Sequence, residues 1–339
     1  MSSLEPTLTI AIPTVNRLAL LKTALATALA QTVPVEIVVS DNGSTDGTDT
    51  YLSETAFPGN VRRFRHATTM PVQHHGAFLL SQVCTEWVVF LSDDDSLEPA
   101  FAARVEGLIR ERPNVALVYT GCDIYFGNVA LPAKVGPRFE SAANFFFGFM
   151  EGERNICLCS TAFRAREYRT IGQQPASVLI GDMYYWTRML NRGGVVGCVD
   201  ERLAHYSFYG PGVATETNRT PVLRWARESE ELASVMSACI LADPAFAERG
   251  GEVARARARF LARATSLQFV FVALRGASRF ALLRLLLHLA PVVFGDSAGV
   301  GRALAAILAP RWILERAMLA QARRSARQRT RSRTGPAPC

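Results

Sequence analysis

The sequence predicts a doubly wound α/β fold with a mostly parallel, Rossmann-like sheet, followed by a helical C-terminal region. Three observations carry this. Strand and helix patterns alternate through residues 8–119, the rhythm of βαβ units. The run Trp87 to Leu91 (WVVFL) is almost wholly apolar, as in a strand covered on both faces. Beyond about residue 215 strand signals fade and Ala, Arg and Leu dominate.

Taken in order, Leu8 to Ile12 is a short apolar strand ending at Pro13. Leu18, Leu21, Leu25 and Leu29 recur at helical spacing and mark one buried helix face. Glu36 to Ser40 is a second strand, rich in Val and Ile. The segment Asp41 to Thr48 (DNGSTDGT) is dense in turn and capping residues, with Asp46 or Thr48 as the candidate N-cap of a following helix. Trp87 to Leu91 is the third strand. Leu97-Glu98-Pro99 has the look of a helix start, and Val115 to Tyr119 of a fourth strand. Ligands of such sheets bind beyond the carboxyl ends of the strands, which singles out Pro13–Arg17, Asp41–Thr48 and Ser92–Ser96.

Bulk properties narrow the class. The chain has 339 residues, 49% hydrophobic and 20% charged, which suits a globular protein rather than a disordered one. The net charge of +7 is uneven: after Glu315 there is no acidic residue, and Arg316, Arg323, Arg324, Arg327, Arg329, Arg331 and Arg333 follow. Such a tail suits anionic lipid, nucleic acid or plain solubility. The seven cysteines form no CxxC pair and read as reduced, mostly buried thiols of a cytosolic protein. Met1 to Thr9 lacks a basic segment followed by a long apolar run, so no secretory signal is expected. Phe269 to Phe294 is strongly apolar but is interrupted by Arg275, Arg279, Arg284 and His288. That argues against a spanning helix, which needs ~20 apolar residues. Packing onto the preceding domain or lying on a membrane surface both fit.

Two motifs carry chemistry. Ser92-Asp93-Asp94-Asp95 sets three mutually repelling carboxylates at the end of a buried strand, an arrangement that a hard divalent cation such as Mg2+ or Mn2+ would neutralise. A solvated acidic turn is the plain alternative. Asp41, at another strand end, can accept a hydrogen bond from a base imide or a ribose hydroxyl, or can simply stabilise a turn. The DNGSTDGT segment is not a phosphate loop, since GxxxxGK and GxGxxG are both absent.

In four places together the chain resembles the family 2 inverting glycosyltransferases of GT-A fold. They are Ile10-Ala11-Ile12-Pro13-Thr14-Val15-Asn16-Arg17, then SDNGSTDGT, then FLSDDDSLEP, then Ile180-Gly181-Asp182-Met183-Tyr184-Tyr185-Trp186. The resemblance covers roughly residues 7–215. It implies a catalytic domain over 1–215, with a nucleotide-sugar half at about 7–120 and an acceptor half at about 121–215, leaving 216–339 as the helical region with its basic tail. It implies a first nucleotide loop at Pro13, Thr14 and Asn16, and a pyrimidine-gripping Asp41. It places Asp93 nearest the ribose, with Asp94 and Asp95 as ligands of Mg2+ or Mn2+, and makes Asp182 the general base. The expected donor is a nucleoside-diphosphate sugar, UDP or dTDP in preference to a purine. The expected acceptor is a saccharide or lipid-linked molecule read by variable loops around Asn155–Arg164, as in polysaccharide or glycolipid biosynthesis. Family habit puts such an enzyme in the cytoplasm, with peripheral contact at the inner face of the cell membrane.

There are departures from the family pattern. Ser92 stands where many relatives carry Asp, and Gln73-His74-His75 near where they carry Arg-Asn. His74 and His75 are therefore candidates to touch the diphosphate. Tyr209 stands where many place a His before a Gly-rich turn, here Gly210-Pro211-Gly212, and the nearest His is His205. Three other readings compete. A catalytically inactive relative that only binds sugar or nucleotide conflicts with the intact Asp93–Asp95 run and Asp182. A nucleic-acid-binding protein finds support only in the Arg tail, which lacks interleaved aromatics. A nucleotidyltransferase would start with a Gly-rich segment and a basic residue, whereas this first strand ends in Pro13-Thr14.

Overall fold

The computed structural model describes residues 6–126, 129–172, 180–207, 222–274 and 297–309, with isolated positions between and beyond them. Two compact units divide the chain: Met1–Asp123, Ala133–Phe145 and Glu153–Tyr206 form the first, and Ile124–Pro132, Phe146–Gly152 and Ser207–Cys339 the second.

The first unit is an α/β domain on one large mixed sheet. β1 (Leu8–Thr14), β2 (Glu36–Asp41), β3 (Val61–Arg65) and β4 (Trp87–Phe90) form a parallel block in the order β3-β2-β1-β4. The sheet continues through β9 (Thr161–Arg164), β6 (Val115–Phe126), β10 (Val195–Ser207) and β5 (Ser96–Leu97). Beyond β4 the pairing turns antiparallel, β4 to β9, β9 to β6 and β10 to β5, and β8 (Phe139–Ser141) pairs antiparallel with β10. The second unit contains β7 (Val129–Pro132).

Alternation of branched apolar residues fixes the register of the parallel block. Ile10 faces Ile37 and Val89, and Ile12 faces Val39. All of these are fully buried, each contributing about 1.5–3 kcal/mol of hydrophobic stabilisation. Truncating Ile10 to Ala would cost about 2–5 kcal/mol. The same register leaves Thr14 beside Asp41 at the strand ends. The Leu91 N–H donates to the Ala11 carbonyl (2.9 Å) and so carries the chain past β4 into Ser92–Asp95. The three loops singled out by the sequence thus emerge at one edge of the sheet.

The helices cover this block. α1 (Leu18–Leu29) buries Leu21, Ala24, Leu25 and Ala28, whereas Leu29, its last residue, is 38% exposed. α2 (Thr48–Glu54), α3 (Val72–Ser81), α4 (Phe101–Glu111), α6 (Ala165–Ile171) and α7 (Gly181–Leu190) follow, and α5 (Ala142–Glu151) runs from the first unit into the second.

Several local expectations change. Leu97-Glu98-Pro99 does not open a helix: Ser96 and Leu97 pair with His205 and Ala204, the Glu98 N–H donates to the Leu203 carbonyl (2.9 Å), and α4 starts at Phe101. A partner strand for that backbone outweighed its helical look. The N-cap of α2 is Gly47, at φ 90°, rather than Asp46 or Thr48. α7 is capped by Ile180, so Asp182 sits inside its first turn. The strand begun at Val115 runs on to Phe126, and it is the sixth in chain order. In the segment Asn155–Arg164, Thr161 to Arg164 belong to β9, paired on both sides, so only the residues before it are free to shape a loop.

The second unit is helical. α8 (Val222–Ala242), α9 (Gly250–Leu274) and α10 (Ser297–Leu308) pack with α9 against both others, and Arg257 of α9 pairs with Glu230 of α8. Arg263 donates to the carbonyls of Phe149 (3.1 Å) and Met150 (3.0 Å), closing the end of α5 with a cation as the helix dipole favours. Among the described residues no helix is long and apolar enough to cross a membrane. Tyr209, Gly210-Pro211-Gly212 and the arginines from Arg323 onward lie outside the described residues.

Candidate active site

The Asp41 loop is held by neutral donors. Asp41 is fully buried, and its Oδ1 accepts from the Ser44 N–H (2.9 Å) and hydroxyl (2.5 Å). Among the described residues its Oδ2 has no hydrogen-bond partner, and the Arg65 guanidinium lies 3.9 Å away. A buried carboxylate oxygen without a donor is costly, so this atom is set to accept from a ligand. Around it the loop is rigid. Asn42 is clamped to Met70 in both directions, its Nδ2 donating to the carbonyl (2.9 Å) and its Oδ1 accepting the N–H (3.0 Å). Gly43 adopts φ +77°, and a Cβ there would lie 2.9 Å from the backbone of Thr68 and Thr69, so only glycine fits. Asn16 also has positive φ (54°), which Asn tolerates. It ties the first loop to the second: its N–H donates to Ser44 Oγ (2.8 Å) and its Oδ1 accepts the Thr45 N–H (2.7 Å). Asp46 joins them again, accepting from the N–H groups of Leu18 (2.9 Å) and Thr48 (3.1 Å). Burial pushes its carboxyl up, but these bonds and the Thr48 hydroxyl outweigh it and hold it below the usual range.

The Ser92–Asp95 turn, closed by the Asp95 N–H on the Ser92 carbonyl (3.0 Å), is held by charge. Asp93 and Asp95 are buried and Asp94 is half-buried. Arg17 lies across the first two, donating to Asp93 Oδ1 (2.5 Å) and Asp94 Oδ2 (2.8 Å), while the Thr14 hydroxyl donates to Asp93 Oδ2 (2.8 Å). Burial nevertheless pushes the Asp93 carboxyl up to about 6, with Arg17 and Thr14 opposing the rise. Pro13, opposite Ser40, leads β1 into this contact.

Asp182 and Asp95 act on the same neighbours. Burial raises the Tyr206 hydroxyl, and the charges of Asp95 and Asp182 raise it further; both also raise the Cys157 thiol. Asp182 itself is half-buried, and burial pushes its carboxyl up against the N–H of Met183, which donates to Oδ1 (2.8 Å). A carboxylate with a raised pKa suits a base working near neutrality. The buried thiols of Cys122, Cys157 and Cys159 shift one another's titration, Cys122 downward and the other two upward.

The histidines divide. His74 is exposed on α3. His75 is buried, and its Nε2 meets Ser40 Oγ (2.9 Å), one residue before Asp41. Burial, then His66, lowers it to about 4, so it is neutral under the loop. His205 Nε2 meets Glu98 Oε1 (2.7 Å), with Asp123 4.0 Å from its Nδ1.

Among the described residues no three His, Cys, Asp or Glu side chains converge as a preformed metal site. The Asp94 and Asp95 oxygens suit a hard divalent cation in kind, and Arg17 already covers part of Asp94.

Residues 9–171 match the model of glycosyl transferase family 2. This region belongs to that family. Residues 9–171 accordingly form a glycosyltransferase domain, and solved structures similar to the chain share its fold. The crystal structure of S. aureus TarS 1–349 in complex with UDP-GlcNAc is 15% identical, over 94% of this chain and 88% of that one, with a TM-score of 0.56. The mannosyltransferase PcManGT from Pyrobaculum calidifontis, in complex with GDP-Man and Mn2+, is 18% identical over 90% and 88%, with a TM-score of 0.50. No curated protein matches the chain.

Some residues of this glycosyltransferase site had no role assigned from sequence. Arg17 stood in the first motif, and a cation so close to a strand end, in a domain with three clustered carboxylates, was the available signal. Arg65 and Tyr206 gave none, because only the sheet brings β3 and β10 to these loops.

Proposed function

We propose that the glycosyltransferase moves a sugar from a nucleoside-diphosphate donor of UDP or dTDP type to an acceptor hydroxyl, with inversion. The observation that carries this is Asp41 Oδ2, a buried acceptor without a hydrogen bond among the described residues, at the strand end and in register with Thr14. It matches the imide N–H of a pyrimidine base. Pro13, Thr14, Asn16 and Asp93 line the neighbouring loops as the remaining donor contacts, with His74 at the diphosphate. A TarS neighbour holding UDP-GlcNAc and a mannosyltransferase holding GDP-Man and Mn2+ support a nucleotide-sugar donor and a divalent metal.

Asp94 and Asp95 would hold Mg2+ or Mn2+, which when bound offsets the charge of the departing diphosphate. Asp182 takes the proton of the acceptor hydroxyl. The hydroxyl oxygen then attacks the anomeric carbon opposite the leaving group, and the bonding pair leaves with the diphosphate oxygen. No covalent sugar–enzyme intermediate is needed. The test is slow hydrolysis of a panel of UDP-, dTDP- and GDP-sugars, read by NMR of the released anomer. Inverted sugar from a pyrimidine donor is expected; retained configuration, or no hydrolysis of any donor, refutes the assignment.

An exposed apolar face in the second unit supports a membrane-proximal acceptor. Phe280 (76% exposed), Leu283 (46%) and Leu287 (71%) stand at i, i+3 and i+7, and the arginine-rich tail follows. A lipid-linked acceptor of polysaccharide or glycolipid synthesis fits that setting. The protein should float with anionic liposomes and release in high salt. Flotation unchanged when the three residues are replaced by Gln would remove this part.

A further inference from the structure

Arg17 does more than fill space between two loops. Its side chain is 10% exposed and bridges Asp93 (3%) and Asp94 (16%). Between them, Arg17 and Thr14 occupy both oxygens of Asp93 and one of Asp94, leaving Asp94 Oδ1 without a bond among the described residues. The Nε of Arg17 is buried with no acceptor among the described residues. The guanidinium is thus held in place by charge, at the expense of one of its own donors. A divalent ion approaching Asp94 meets a positive group already seated on the carboxylate it needs.

We propose that Arg17 is the resting counter-cation of the Asp93–Asp94 pair and competes with the divalent metal, so that it sets the metal affinity of the site. Two consequences follow from electrostatics. Without metal, the pair stays neutralised and the turn keeps its shape. With metal, the guanidinium must yield Asp94 Oδ2 or repel the ion from the oxygen beside it; both weaken metal binding. Arg17 is a positioning residue here, since it acts through the two carboxylates. The inference rests on the reading of Asp94 and Asp95 as metal ligands.

The test counts free Mn2+ by electron paramagnetic resonance, with no nucleotide present, so that turnover plays no part. Arg17→Gln, checked for folding by circular dichroism, should bind Mn2+ about tenfold more tightly than the wild type, because a competing charge is gone. Arg17→Lys keeps the charge but cannot span both carboxylates, and should fall between the two, about threefold tighter than wild type. If Arg17→Gln does not fold, Arg17→Lys decides alone by the same measure. A role confined to holding the turn predicts the opposite sign, and Mn2+ binding that is unchanged or weaker in the variants overturns the inference. Absence of Mn2+ binding in every form, wild type included, overturns the metal assignment as well.

Discussion

The Asp41 loop and the Ser92–Asp95 turn leave β2 and β4, the two strands that flank β1, and each carries a buried aspartate. They stabilise that charge in opposite ways. Asp41 is satisfied on one oxygen by the N–H and hydroxyl of Ser44, within a loop cross-braced by Asn16, Asn42 and Asp46. Asp93 is satisfied mainly by the Arg17 guanidinium, which it shares with Asp94. A loop held by neutral donors keeps its geometry whatever ion is present. A turn held by a cation can exchange that cation for another. The difference suggests a division of labour, with the first loop reading the base and the second managing the charge of the diphosphate.

With Asp182 as the proposed base, acceptor chemistry would lie outside both loops, and that separation can be broken most visibly. Asp182→Asn should lower turnover by about 100- to 10,000-fold, the span typical of a lost general base, with donor affinity retained. If transfer activity survives intact, another carboxylate is the base; if donor binding collapses with it, the acceptor side is not separate from the two donor loops.

Acid should sharpen the contrast, because the two loops respond with opposite sign. His75, below the Asp41 loop, titrates near 4 instead of 6.5. The unfolded chain takes up its proton first, so stability is lost as pH falls from 6.5 toward 4, by about 3 kcal/mol. Asp93 titrates near 6 instead of 3.8. The folded form takes up that proton first, so the cost of burying its charge, present above pH 6, is relieved toward pH 4 by about 3 kcal/mol. Denaturant unfolding from pH 7 to 4 should therefore show His75→Gln losing the acid-labile component and Asp93→Asn losing the acid-stabilised one. Parallel pH profiles for the two variants would mean that the loops are not electrostatically distinct.

Three of the four strands of the parallel block and its three loops were legible in the sequence because β-branched runs and DNGSTDGT or SDDDS punctuation are local signals; β3 was not, since Val61–Arg65 (VRRFR) is mostly arginine, and Trp87–Phe90 is therefore the fourth strand rather than the third. Asp182 was singled out only through a four-motif resemblance, since a lone Asp in a first helical turn says nothing by itself. β5 was hidden because Ser96 and Leu97 depend on β10, more than a hundred residues away, for their partner. The bridge from Arg17 to Asp93 and Asp94 was hidden for the same reason: the sequence supplies both charges, but the β1–β4 pairing sets them within reach. The neutral state of His75 depends on burial, which adjacent histidines in a helix do not disclose.

The most direct test of the division between the two loops is calorimetric titration with UDP, in Mn2+ and then in chelator, of the wild type, Asp41→Asn and Asp94→Asn. Asp41→Asn should lose about tenfold or more in affinity in both conditions, as expected for a hydrogen bond to a charged group. Asp94→Asn should lose affinity only where Mn2+ is present, and its binding should no longer change on chelation. Wild-type affinity that is the same with and without metal, or a loss in Asp41→Asn that appears only with metal, would contradict the account.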